Sequence, residues 1–145
     1  MTPAQRQAVV AEARSWLRTP YHDHGRVKGA GADCALFPLE VYTTVLGLTA
    51  PPIPRYVMQW HLHRDAEMYL DYVRAFGAIE IAETEAQPGD FVLWRVGRVY
   101  SHGAIIVDWP HVIHATNPRG VTLADSSIDQ KLSRSAITRP LFFTF

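Results

Sequence analysis

Apolar positions recur at helical spacing through the first half of the chain and alternate like strands through the second. Val9, Val10, Ala13, Trp16 and Leu17 fall on one face of a helix. Thr2 and Gln5 have the spacing of a capping box, with Pro3 at the first helical position, so this helix has a defined start. It is expected to stop at Thr19-Pro20, because the residue before a proline is pushed out of helical geometry. Residues 21–31 are polar and broken by glycines and read as a loop. Leu36, Phe37, Val41, Val45 and Leu46 predict a second helix, with Asp33 as its cap and Gly47 as its stop. Pro38 falls one turn after Cys34, where it deletes a backbone hydrogen bond; a distorted first turn, or a helix regular only after Pro38, is expected. Residues 48–60 carry Pro51, Pro52 and Pro54 with Tyr56, Met58 and Trp60, and read as a surface excursion with aromatic contacts rather than a core element. Leu62, Ala66, Tyr69, Val73 and Phe76 repeat at spacings of four and three, a third helix ended by Gly77.

The period then changes. Residues 78–82 alternate as a short strand, Gln87-Pro88-Gly89-Asp90 is a turn, and F-V-L-W-R-V from Phe91 is β-rich. Gly97-Arg98 returns the chain into residues 100–108, whose G-A-I-I-V is a buried-strand signature. Further strands are expected at 111–116 and 121–124, joined by Asn117-Pro118-Arg119-Gly120, and I-T-R-P-L-F-F-T-F supplies the last. Helices first (about 1–77) and an antiparallel meander after them (about 78–145) predict one α+β domain with the helices gathered on the sheet.

Composition narrows the function classes. The 145 residues hold 14 Lys+Arg against 14 Asp+Glu, so there is no basic footprint for nucleic acid and no polybasic patch for a lipid surface. The single cysteine excludes an internal disulfide. No run is long and apolar enough to span a bilayer, and M-T-P-A-Q-R-Q-A-V-V lacks the charged and apolar halves of a signal peptide. Synthesis in the cytoplasm is expected, with something other than a signal peptide carrying the chain if it works outside.

That cysteine is the first candidate for chemistry. A glycine-rich loop, G-A-G-A, leads through Asp33 to Cys34 at the first turn of the second helix, where the helix dipole is expected to lower the thiol's pKa. On residue type alone, the competing reading is a small buried hydrophobe. A thiol nucleophile needs a base, and the base needs a group to hold its ring. His102, opening the G-A-I-I-V strand at an expected sheet edge facing the Cys34 helix, is the best base. His114, across a hairpin, can orient it, and Asn117 is the fallback for that third role. His111, three positions before His114, points to the opposite face. His22 with His24 and His61 with His63 form H-x-H pairs, but no cysteine or carboxylate stands nearby at a ligand spacing, so both are read as loop residues and no metal is expected.

T-P-Y at Thr19 to Tyr21, G-A-G-A-D-C ending at Cys34, P-G-D at Pro88 to Asp90, S-H-G-A-I-I-V from Ser101 and V-I-H-A from Val112 follow one another as in the NlpC-type cysteine peptidases. The chain most resembles the short versions encoded among phage tail genes; residues 48–76 match least. The resemblance implies a papain-like fold and cleavage of peptidoglycan stem peptides between D-γ-glutamate and a diamino acid, with no cofactor. It implies Cys34 as nucleophile, His102 as base and His114 as the orienting residue. It also places Tyr21, Asp33 and Ser101 on the oxyanion and substrate side. Implied partners are the stem peptide and other tail-tip or baseplate hub proteins, with the virion tail tip carrying the domain to the host wall. The alternative is a structural tail-tip component that keeps the fold and cuts little. Where many members read D-C-S-G, this chain reads D-C-A-L, which bears on specificity more than on chemistry.

Overall fold

The computed structural model describes residues 1–56, 66–135 and 139–145. Helix α1 is Pro3–Ser15, opened by the expected capping box: the Gln5 N–H donates to Thr2 Oγ1 at 3.2 Å and the Thr2 N–H to Gln5 Oε1 at 2.8 Å. It ends at Ser15, earlier than the proline required. The Arg18 N–H donates to the Val121 carbonyl and the Val121 N–H to the Thr19 carbonyl, so pairing with a distant strand turns the chain out of the helix first. The expected loop at 21–31 contains a small antiparallel pair, β1 (Arg26–Val27) and β2 (Gly31–Ala32), and Tyr21 bridges to Ala32.

Helix α2 spans Leu36–Leu46 and is the most buried helix, with Leu36, Phe37, Pro38, Leu39, Val41 and Tyr42 all enclosed. Pro38 is its third residue and does not delay it: the bond it removes would run back to the Cys34 carbonyl, before the first helical residue, so the helix's own ladder is intact. Gly47 stops the helix in the left-handed region (φ 67°), its N–H donating to the Thr43 carbonyl. Residues 48–56 are irregular, yet Leu48, Ala50 and Ile53 pack on the core and the Tyr72 hydroxyl donates to the Pro51 carbonyl at 2.8 Å. The segment is therefore partly core, contrary to the sequence reading; Met58, Trp60, His61, Leu62 and His63 lie outside the described residues. Helix α3, Met68–Ala75, begins after the exposed Ala66 and buries Leu70 and Val73, with Phe76 at its end.

Strands β3 (Ile79–Ile81), β4 (Phe91–Val96), β5 (Val99–Asp108), β6 (His111–Thr116), β7 (Gly120–Asp125) and β8 (Leu141–Thr144) form one antiparallel sheet in the order β3-β8-β4-β5-β6-β7. Four strands make the expected meander, whereas β8 inserts between β3 and β4. A short helix α4, Gln130–Ser135, precedes it, not expected from the sequence pattern, and buries Leu132. Alternation divides the side chains. Phe91, Leu93, Ile105, Val107, Ile113 and Phe143 meet α1, α2 and α3, while Val92, Trp94, Ala104, Ile106, Val112 and Phe142 meet Leu132 and Trp109. Both faces are covered, which is why F-V-L-W reads as a continuous apolar run rather than an alternating one. Among the described residues no helix is long and apolar enough to cross a membrane.

Candidate active site

Asp33 organises the site and is itself fully buried. Its Oδ1 accepts from the N–H groups of Ala35 (2.9 Å) and Leu36 (2.7 Å), which caps α2 and sets Cys34 at the helix's entrance. Its Oδ2 accepts from the His24 N–H at 3.1 Å and from the Tyr56 hydroxyl at 2.6 Å. The Tyr56 ring lies 4.4 Å from the ring of His24. One carboxylate thus joins the glycine-rich loop, the start of α2 and the proline-rich segment. His24 and Tyr56 were not marked as site residues by the sequence; only their aromatic character in otherwise polar or proline-rich stretches hinted at contacts.

Cys34 is half-buried and its Sγ lies 3.7 Å from the Ser101 carbonyl. The thiol is not activated at rest, contrary to the helix-dipole expectation. Burial first, then the Asp33 carboxylate, pushes it up to about 12, against smaller lowering effects from Lys131 and from the N–H groups of Gly103 and Cys34. Desolvation and a neighbouring like charge outweigh the helix terminus. The carbonyl of Cys34 accepts from the Tyr69 hydroxyl at 2.8 Å.

His102 lies on β5, which is flanked by β4 and β6 and is not a sheet edge, so the expected edge placement does not hold. It pairs across the ladder with Trp94, and by alternation it stands on the α4 face, its ring 6.4 Å from that of Trp94. Gly103 takes the other face, against Phe91 and Tyr69. Cys34 therefore meets β5 through that strand's backbone, and the imidazole comes to the same cleft from the strand's far side. His102 Nε2 is 2.8 Å from His114 Nδ1, with the rings perpendicular at 88°. His114 is fully buried, and its Nε2 has no hydrogen-bond partner among the described residues. Burial holds its pKa down at about 4; Asp129 opposes that effect, and Arg119 and Lys131 add to it. Asn117 lines the cleft from an exposed turn, but it is His114 that contacts the His102 ring.

These residues open onto a cleft of about 340 Å³ lined by Tyr21, Asp33, Cys34, Ser101 and His102, with Tyr56, Tyr69, Asn117 and Lys131 also in its lining. Ser101 lines it differently from the expectation. Its hydroxyl donates to the Val96 carbonyl at 3.2 Å and its carbonyl faces Sγ, so it presents an acceptor rather than an oxyanion donor. Tyr21 is half-buried at the mouth, and burial, then Cys34, Asp33 and Asp23, keep its hydroxyl protonated. His111 lies outside, its Nε2 3.9 Å from Asp125. Among the described residues no group of three or more His, Cys, Asp or Glu is placed to hold a metal ion.

The sequence profile of the NlpC/P60 family matches residues 18–140, from the turn after α1 to the approach to β8. The chain belongs to the NlpC/P60 family. Solved structures agree on the fold. The NlpC/p60 domain of the peptidoglycan hydrolase SagA superposes with a TM-score of 0.64 at 23% identity, over 97% of each chain. An NlpC/P60 family protein from Bacillus cereus gives 0.67 at 20% identity over 97% of this chain, which spans 40% of that longer one. RipD from Mycobacterium tuberculosis, described as a non-catalytic NlpC/p60 domain protein, gives 0.57 at 13% identity. No curated protein sequence matches significantly. Cys34 and His102 line one cleft, and the buried His114 contacts the His102 ring. The sequence signal for the Tyr69 bond is Pro38, which four residues after Cys34 leaves the Cys34 carbonyl to be satisfied from elsewhere but does not name the donor.

Proposed function

We propose that this chain is a cysteine peptidase that hydrolyses peptidoglycan stem peptides at the D-γ-glutamyl-diamino acid bond through a thioester on Cys34. The observation that carries the reading is the 2.8 Å contact of the buried His114 with His102, which lines the same cleft as Cys34. Nε2 of His102 faces Nδ1 of His114, and in this reading Nδ1 of His102 is the nitrogen that exchanges a proton with the thiol. For Nδ1 to accept, Nε2 carries the ring hydrogen and donates it to His114 Nδ1, which requires a neutral His114. Burial supplies that state.

Because the thiol is protonated at rest, the first step is general-base attack rather than attack by a standing thiolate. His102 takes the proton as Sγ bonds to the scissile carbonyl carbon, with the Cys34 N–H and the Tyr21 hydroxyl donating to the oxyanion. Collapse breaks the C–N bond, His102 returns the proton to the leaving amine, and a thioester remains. Water, deprotonated by His102, then displaces the thiol and releases the carboxylate. SagA, a peptidoglycan hydrolase, and RipB of Mycobacterium tuberculosis, likewise named, share the fold and lend support to the substrate class. The order of motifs resembles the tail-associated phage members, and on that ground we place the chain at a virion tail tip among hub proteins. It would be made in the bacterial cytoplasm and act on the host wall.

A second reading, wall binding or tail structure without cleavage, draws on the unactivated thiol and on RipD, described as adapted to peptidoglycan binding. Digestion of purified peptidoglycan with analysis of new free amines separates the two. The wild type should release diamino-acid amines, and Cys34→Ala should lose about a thousandfold or more of that rate. Equal release by Cys34→Ala overturns the peptidase; no release by either protein leaves the binding role. Mass spectrometry of purified virions tests the tail placement, and absence of the chain from them removes it.

A further inference from the structure

In a continuous helix the N–H of residue 38 would donate to the carbonyl of residue 34, the residue bearing the thiol. Pro38 has no N–H to give. The Cys34 carbonyl is instead met from another helix: the Tyr69 hydroxyl on α3 donates to it at 2.8 Å. A third element makes room. At Gly103 of β5, an added Cβ would run into both the Tyr69 hydroxyl and the Phe91 ring, so only glycine lets the hydroxyl reach its acceptor. The Tyr69 ring is steadied by Phe91, 6.0 Å away and tilted by 55°. Burial, with Cys34 and Asp33 nearby, keeps that hydroxyl protonated and therefore a donor.

We propose that Tyr69 is a positioning residue that replaces the backbone hydrogen bond Pro38 removes, fixing the Cys34 peptide and with it the approach of the thiol to His102. The peptide's orientation sets where Sγ stands against the Ser101 carbonyl, 3.7 Å away. An unsatisfied carbonyl at this point would let the first turn of α2 rotate, and small misplacements of a nucleophile are costly. The proposal rests on Cys34 being the nucleophile and adds what holds it in place.

A double-mutant cycle tests it, because the missing N–H can be given back. The wild type, Tyr69→Phe, Pro38→Ala and the double variant are compared by the rate of Cys34 alkylation with iodoacetamide across pH, and by kcat and KM on a synthetic stem peptide. Tyr69→Phe keeps the ring and should lower kcat and the alkylation rate about tenfold or more, leaving KM within about twofold. In the Pro38→Ala background the restored N–H satisfies the carbonyl, and Tyr69→Phe should cost less than about twofold. Pro38→Val, which returns the same N–H with more apolar bulk, is read in parallel should Pro38→Ala fold poorly. Equal losses in both backgrounds, or no loss in either, overturn the proposal. A wild type that cuts no stem peptide refutes the hydrolase reading, and the alkylation cycle still decides the role of Tyr69.

Discussion

At the scale of single residues, Asp33 and Lys131 pull the Cys34 thiol in opposite directions. Asp33 raises its pKa and Lys131, which lines the same cleft, lowers it. Lys131 is exposed and donates to Thr116 Oγ1 at 3.2 Å, so its loss should move stability by less than about 0.5 kcal/mol. Lys131→Ala should therefore slow alkylation at fixed pH while leaving Tm in place. Asp33→Asn should do the reverse on both counts. Removing the charge lets the thiol ionise more easily, but the amide cannot accept on both sides. Donors from Ala35, Leu36, His24 and Tyr56 then compete for one oxygen, at a cost of about 1–3 kcal/mol. Faster alkylation with a lower Tm would confirm that charge and scaffold are separable in this side chain; slower alkylation would mean that geometry governs the thiol.

At the scale of elements, α1 is joined to the turn before β4 by a buried ion pair. Arg6 Nη1 reaches Asp90 Oδ1 at 2.7 Å, Asp90 is fully buried, and the same guanidinium donates to the Pro88 carbonyl and to Thr144 on β8. Arg6→Ala strands the carboxylate and should cost about 3 kcal/mol, read as a lower urea midpoint with unchanged slope. Arg6→Lys should recover only part, since an ammonium cannot make the same three contacts. P-G-D was visible in the sequence as a turn, and α1 as a capped helix, but their bond was not, because the two lie 84 positions apart. The same limit explains the other differences. Capping box, strands β4 to β6 and the Cys, His, His set were legible because each rests on local pattern or short spacing. The insertion of β8, the early end of α1 and the Tyr56 contact to Asp33 depend on pairings between distant segments. Helix α4 escaped notice because six residues with one buried leucine carry no period.

At the scale of the whole molecule, a sheet covered on both faces encloses an imidazole that cannot easily charge, and this ties stability to pH. His114 has its pKa lowered from 6.5 to about 4, chiefly by burial. In the unfolded chain it titrates normally. Between those two values the unfolded chain binds a proton that the folded one refuses, so stability rises with pH through that window. It is full above about 6.5 and the whole contribution is lost below about 4. Asp129 acts in the same sense, since its lowered pKa, set against its burial by Arg119 and by the N–H groups of Leu132 and Lys131, stabilises the fold only while it is ionised. The wild-type Tm should therefore fall steeply from pH 6.5 to 4, and His114→Gln, which keeps a polar side chain but removes the titration, should flatten that fall. Asp129→Asn sharpens the test. It removes the carboxylate that favours a charged His114, so the folded pKa should drop further, and the acid loss attributable to the imidazole should extend to lower pH. A His114→Gln profile parallel to the wild type across this window would show that the imidazole is not the group the sheet holds neutral, and would remove the support His102 needs for its proton transfer.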